Sequence, residues 1–275
     1  MKSPIARSIS TKLSAISRSR NVPYKNVLTE FLLERLLVRL TTSTRLSSHL
    51  IFKGGYVGRR AYGCPRYTID LDALLKDARI GQLQNEIVQA VESDLKDGTW
   101  FRFERHIDLE TQGEYPGIRF VFRTGLGEVM ENQAIAQIVH FDVGVGDLVD
   151  AISDSIVPII GGAEISWQVY SREIIVAEKL HACLTRPVNN SRSKDIFDLF
   201  FYLPECDSKH LSRTIKRTFE LRGTPAPINV SADFKSINTR TLRRGWSSAV
   251  SGIPDAADFD DIFFQVVRLL EDKLY

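Results

Sequence analysis

Apolar positions recur with a helical period over several stretches of the chain. Val27, Phe31, Leu32, Leu36 and Leu40 form a stripe, with Pro23 just ahead of it. Leu33, Leu37 and Val38 widen the stripe, which predicts a largely buried helix over residues 24 to 43. Ile5, Ile9, Leu13 and Ile16 keep the same spacing among Arg7, Lys12, Arg18 and Arg20. A short basic amphipathic helix is expected there, either packed on the body or facing RNA. Further helices are expected over 80–95, over 172–184 after Ser171 as N-cap, over 208–222 and over 259–274. Elsewhere the period is two. Residues 101–109 and 118–123 predict strands, joined through the turn-rich Gln112 to Gly117 as a hairpin. Residues 50–52, 67–75, 138–146 and 165–170 read as further strands. Thr41 to Ser48 reads as a polar connector. Tyr56 to Tyr62 reads as a short helix with Arg59 and Arg60 outward, ended by Gly63-Cys64-Pro65.

Strands and helices mix up to about residue 170, and helices dominate afterwards. The expected fold class is α/β (α+β), divided into N-terminal helices over 1–48, a mixed-sheet core over 49–170 and a helical domain over 171–275. The chain has 275 residues and 43% hydrophobic content, enough for one large domain or two small ones. Net charge is only +2, so bulk charge does not decide for or against nucleic acid. Cys64, Cys183 and Cys206 are odd in number and lack metal-ligand spacing, which favours reduced thiols. No apolar run approaches the roughly 20 residues of a membrane span, and no apolar signal core is seen. The expectation is a soluble, cytoplasmic protein.

The candidate chemistry concentrates in residues 51–76. A short apolar run stops at Lys53-Gly54-Gly55, and a strand carrying Asp70-Leu71-Asp72 follows. Residues two apart on a strand share a face, so Asp70 and Asp72 project together while Ile69 and Leu71 point to the core. Side-by-side carboxylates repel, and a divalent cation with oxygen ligands is the usual remedy. The glycines let a backbone approach a phosphate closely. Arg66 could meet a phosphate, one of the Asp side chains or a structural partner. Asp142 is a carboxylate inside an apolar strand, which calls for a paired group, a metal or a turn to hydrogen-bond. Lys209, His210, Arg213, Lys216, Arg217 and Arg222, then Lys235, Arg240, Arg243 and Arg244 beside Trp246, could contact an RNA backbone or form a solvated face.

Lys53-Gly54-Gly55, Arg66 and Asp70-Leu71-Asp72 together resemble the signature of the DNA polymerase β-like nucleotidyltransferases. More narrowly, the set is similar to the AbiEii/AbiGii toxins of type IV toxin–antitoxin and phage abortive-infection systems. Two further motifs extend the resemblance. Ile174-Ile175-Val176-Ala177-Glu178-Lys179-Leu180-His181-Ala182 matches the family's apolar-Lys helix, and Asp195-Ile196-Phe197-Asp198 matches its Asp-x-x-Asp. The resemblance spans roughly residues 45 to 205. Tyr56 departs from the small hydroxyl residue that many members carry after the second Gly, which leaves one phosphate contact open.

The resemblance implies a polymerase β-like core and nucleotidyl transfer from a nucleoside triphosphate (NTP) with Mg²⁺. It implies Asp70, Asp72 and Asp142 as metal ligands. Lys53, Gly54, Gly55, Arg66 and Lys179 would bind the nucleotide, and Asp195 would act as a base or as the partner of Lys179. RNA, first of all the tRNA 3′ end, is the expected acceptor. A cognate antitoxin is the expected protein partner, and no membrane is. Two other readings stay open: a nucleotidyltransferase acting on a protein or small molecule, and a non-catalytic nucleotide-binding partner module.

Overall fold

The computed structural model describes residues 3–77, 79–109, 116–128, 136–185 and 192–275. The chain divides into two compact units, one of residues 1–63, 67–146 and 151–169, the other of 64–66, 147–150 and 170–275.

The first unit opens with three helices, α1 (Pro4–Arg20), α2 (Tyr24–Thr42) and α3 (Thr44–His49). Ser3 caps α1 by accepting from the Ala6 amide. Ile9 and Leu13 of α1 pack on Val27 and Phe31 of α2. The expected connector over 41–48 is therefore partly helical. Ser43 accepts from the Leu46 amide and starts a new turn that buries Leu46.

A mixed sheet follows, built from β1 (Leu50–Lys53), β2 (Asp70–Leu75), β3 (Thr99–Asp108), β4 (Gly117–Leu126), β5 (Gln137–Gly144), β6 (Ala151–Ile156) and β7 (Ile165–Tyr170). Two helices interrupt it, α4 (Gly54–Arg60) after β1 and α5 (Ile80–Glu92) after β2. Among the described residues the strand order is β3-β4-β5-β2-β1-β7-β6. β2 runs parallel to β5 and antiparallel to β1, while β4 runs antiparallel to both β3 and β5.

Alternation gives this sheet one apolar face. Leu71, Ala73, Phe120, Phe122, Phe141 and Val143 are all buried. α2 packs against β2 and β5 and buries Val27, Phe31, Leu32, Leu36 and Leu40. Several expectations change here. Ile69 precedes the ladder and is 62% exposed rather than in the core. The strict alternation of β3 is broken by a bulge between Phe103 and Arg105, and its C-terminal half is largely exposed. β6 was not expected: its Ser-Asp-Ser centre lacks an apolar face because it lies at the sheet's edge. Residues 110–115, the body of the expected hairpin turn, lie outside the described residues.

The second unit is helical: α6 (Arg172–Thr185), α7 (Ser193–Tyr202), α8 (Ser208–Leu221), α9 (Val230–Lys235), α10 (Arg240–Arg244), α11 (Trp246–Ala249) and α12 (Phe259–Leu274). α6 packs against both α7 and α8, and α12 closes on α7 and α9. Ser171 accepts from the Ile174 amide at the start of α6, as its position suggested. Asp207 caps α8 through the His210 amide. Trp246 is buried against Phe259 and belongs to the core, not to a nucleic-acid surface. The three cysteines are free and buried.

Candidate functional site

Register decides what the Asp-x-Asp strand faces. Asp72 is the cross-strand partner of Lys53 on β1 and of Asp142 on β5. Asp142 is in turn the partner of Arg119 on β4. Directly paired residues share a face. The polar face of the sheet therefore carries a row Lys53, Asp72, Asp142, Arg119 across four strands. Asp70 lies two residues back on β2 and pairs in register with His140. Asp70 and Asp72 are half-buried, and Asp142 is 8% exposed.

The Gly-Gly turn meets this row at Asp72. Gly54 has φ +74°, and a Cβ built on it would overlap the Asp72 carboxylate. Only glycine adopts that backbone without strain and leaves room for the oxygen. The following helix, α4, is fixed from behind. Arg59 pairs with Glu30 at 3.2 Å, and Arg60 pairs with Glu34 at 2.9 Å. These two arginines, expected to point outward, are thus turned onto α2. The reason is that Glu30 and Glu34 lie buried one helical turn apart and need cations. Tyr56 is fully buried, with its ring 6.1 Å from Trp167, so it fills core and offers no phosphate contact.

Asp142 is not a bare carboxylate. Arg119 grips it with a two-pronged contact, Nε to Oδ1 at 2.8 Å and an Nη to Oδ2 at 2.6 Å. Thr68 donates to Asp70 Oδ1 through its hydroxyl. Among the described residues, no group of three His, Cys, Asp or Glu side chains is gathered to hold a metal ion. The chemistry of a hard divalent cation is nevertheless present in two neighbouring carboxylates, with a third next in register but occupied by a guanidinium. Burial and then Arg119 push His140 below its usual value, against Asp142 and Asp70. Its ring is neutral at pH 7.

The second unit holds the other motif residues. On α7, Asp195 and Asp198 share a face and both meet Lys179 of α6, at 2.9 and 2.6 Å. Arg66 takes Asp198 with two hydrogen bonds of 3.0 and 2.9 Å, and Arg192 lies 3.4 Å from Asp195. The side chains of Asp195 and Asp198 are each 2% exposed. Burial alone would raise their carboxyls, but Lys179, with Arg192 beside Asp195 and Arg66 beside Asp198, holds both below the ordinary range. Burial works to lower the Lys179 ammonium, and the two carboxylates more than offset it. Lys179 stays charged. The open reading of Arg66 resolves into an ion pair with Asp198.

Arg119 is the site residue the pattern did not single out. Its strand was expected, but only the register of β4 on β5 brings it to Asp142. Arg222 was grouped with a basic surface and instead joins Asp147 at 2.8 Å and Glu178 at 3.1 Å. His181 is buried and within 2.9 Å of the Thr224 hydroxyl.

The fold is shared with solved nucleotidyltransferase structures. MenT4, a nucleotidyltransferase toxin from Mycobacterium tuberculosis, aligns with a TM-score of 0.57 at 15% identity, covering 96% of this chain and 99% of that one. A candidate nucleotidyltransferase from H. pylori aligns with a TM-score of 0.55 at 14% identity, covering 91% and 95%. At such identities the likeness speaks for the fold alone. No curated protein matches the chain in sequence. What the fold defines is a mixed seven-stranded sheet followed by helices, the architecture of these solved nucleotidyltransferases. Residues 35–265 match the family described as nucleotidyl transferase AbiEii toxin, type IV TA system, and the chain belongs to that family. Membership makes it a nucleotidyltransferase that takes an NTP and has an antitoxin as partner. Among the described residues no helix is long and apolar enough to cross a membrane.

Proposed function

We propose that the protein transfers a nucleoside monophosphate from an NTP to RNA, first of all the tRNA 3′ end, and so blocks translation in the cytoplasm until a cognate antitoxin neutralises it. The observation that carries this reading is the meeting of the Gly54 turn with Asp72, beside Asp70 on the same face. Asp70 and Asp72 would hold Mg²⁺, with Asp142 as a third ligand. Once bound, that cation supplies charge neutralisation for the triphosphate and for the departing pyrophosphate.

The chain's own groups do the rest. Lys53 and the Gly54-Gly55 turn approach the phosphates from β1. Lys179 carries three N–H donors, and two of them are matched by Asp195 and Asp198. It binds phosphate as an oriented point charge. Asp195 acts as the partner of Lys179 rather than as a base, because a carboxyl held low by Lys179 and Arg192 is a poor proton acceptor. Arg66 sets Asp198, which in turn sets Lys179. Positioning and charge neutralisation account for most of the rate.

The test is to incubate the protein and Mg²⁺ with each of the four α-labelled triphosphates and a cell extract, then separate RNA, protein and small molecules. Label in the tRNA fraction is expected, lost on digestion of the 3′ end. Label in protein or small molecules alone would overturn the choice of acceptor.

A further inference from the structure

The row across the sheet ends in a cation that the proposed reaction leaves unused. Arg119 pairs with Asp142 by register, and its guanidinium matches both carboxylate oxygens. This fork geometry is among the stronger ion-pair contacts, and it suits a phosphate as well as a carboxylate. The Arg119 side chain is 21% exposed and that of Asp142 is 11%. The pair is therefore shielded but still reached by solvent. Asp72 is next to Asp142 on the neighbouring strand. A dication shared between Asp72 and Asp142 would come up against the guanidinium, and like charges at that range repel. The resident partner and the incoming cation thus compete for one carboxylate.

We propose that Arg119 is a positioning residue that changes partner. It holds Asp142 neutralised until a divalent cation takes that carboxylate, and its guanidinium then turns to the triphosphate that arrives with the cation. The charges explain the exchange. Lys53 and Arg119 offset two of the three acids, Asp70, Asp72 and Asp142. A dication overcompensates the third, and the polyanion then draws the released guanidinium. The inference rests on the reading of this face as the cation and triphosphate site.

Competition for Asp142 is thermodynamic, so it shows in binding without turnover. Mn²⁺ is titrated onto the full chain and followed by the loss of the free-ion EPR signal. The proteins are wild type, Arg119→Met, Asp142→Asn and the double variant. Inorganic tripolyphosphate is then titrated calorimetrically at saturating Mg²⁺. Removing Arg119 should tighten Mn²⁺ binding about tenfold, a gain abolished when Asp142 is also Asn. The same variant should bind tripolyphosphate about tenfold more weakly. An ion pair that is only structural, with Asp142 no part of the cation site, predicts no Mn²⁺ gain that depends on Asp142. Mn²⁺ affinity in Arg119→Met equal to or below wild type overturns the proposal, as does an equal gain in the Asp142→Asn background.

If Arg119→Met fails to fold by circular dichroism, Arg119→Lys replaces it. Lysine keeps the charge but loses the fork, so a smaller gain is expected, and none at all overturns the proposal. Asp72→Asn separates the two levels. Mn²⁺ binding that ignores Asp72 removes the site reading and this inference together. Binding that needs Asp72 but ignores Arg119 removes only the inference.

Discussion

On the sheet of the first unit, Asp70 and Asp72 lie half-buried on one face, and an arginine grips both oxygens of Asp142. In the helical unit, Asp195 and Asp198 are nearly inaccessible, and Lys179, Arg66 and Arg192 surround them. Both clusters gather acids from short motifs, on a strand at i and i+2 and on a helix at i and i+3. Their charge balance differs. The helical cluster has its counter-ions built in and holds Lys179 in one place. The sheet cluster sets its acids beside a glycine turn, where the proposed cation and substrate would bind.

Breaking the helical cluster should have the largest effect on stability. Lys179→Met removes the cation shared by two buried carboxylates, leaving Asp198 to Arg66 and Asp195 to Arg192, and should cost about 3 kcal/mol, read by urea denaturation. Lys53→Met, on the more open sheet face, should cost less than about 1 kcal/mol. Equal losses would erase the distinction between the two regions. Gly54→Ala comes next. The added methyl overlaps Asp72 in a left-handed backbone, and about 1–3 kcal/mol of destabilisation is expected. A wild-type melting temperature in Gly54→Ala would show that turn and carboxylate are not in contact.

The smallest effect is a pH dependence. Asp195 and Asp198 have folded-state values below their unfolded ones. Their contribution is present above the unfolded value of about 4 and is lost as pH falls through the folded values. The urea midpoint should therefore drop below about pH 4 in wild type, and drop less in Asp195→Asn. An unchanged acid dependence in that variant would contradict the assignment.

Much of this was legible along the chain because it is local. The stripe of α2, the alternation of β5 and the capping of α6 by Ser171 depend on neighbours in sequence. So do the Gly54-Gly55 turn and the pairing of Asp70 with Asp72 on one face. Asp142 was conspicuous as an acid inside an apolar run. What stayed hidden depends on long-range register. Arg119 meets Asp142 from 23 residues away. Arg59 and Arg60 turn inward because Glu30 and Glu34 need partners, and two acids within the apolar pattern of α2 were the available signal. β6 gave no signal, since an edge strand buries too little to impose alternation.

The central claim is that the sheet acids beside Gly54 carry out nucleotidyl transfer. It is tested most directly by comparing Asp72→Asn with wild type for transfer of α-labelled nucleotide to total RNA in Mg²⁺, with melting curves to confirm that both are folded. A loss of roughly 10²–10³-fold or more in label transfer at near-wild-type stability is expected. Transfer at the wild-type rate by a folded Asp72→Asn protein would contradict the account.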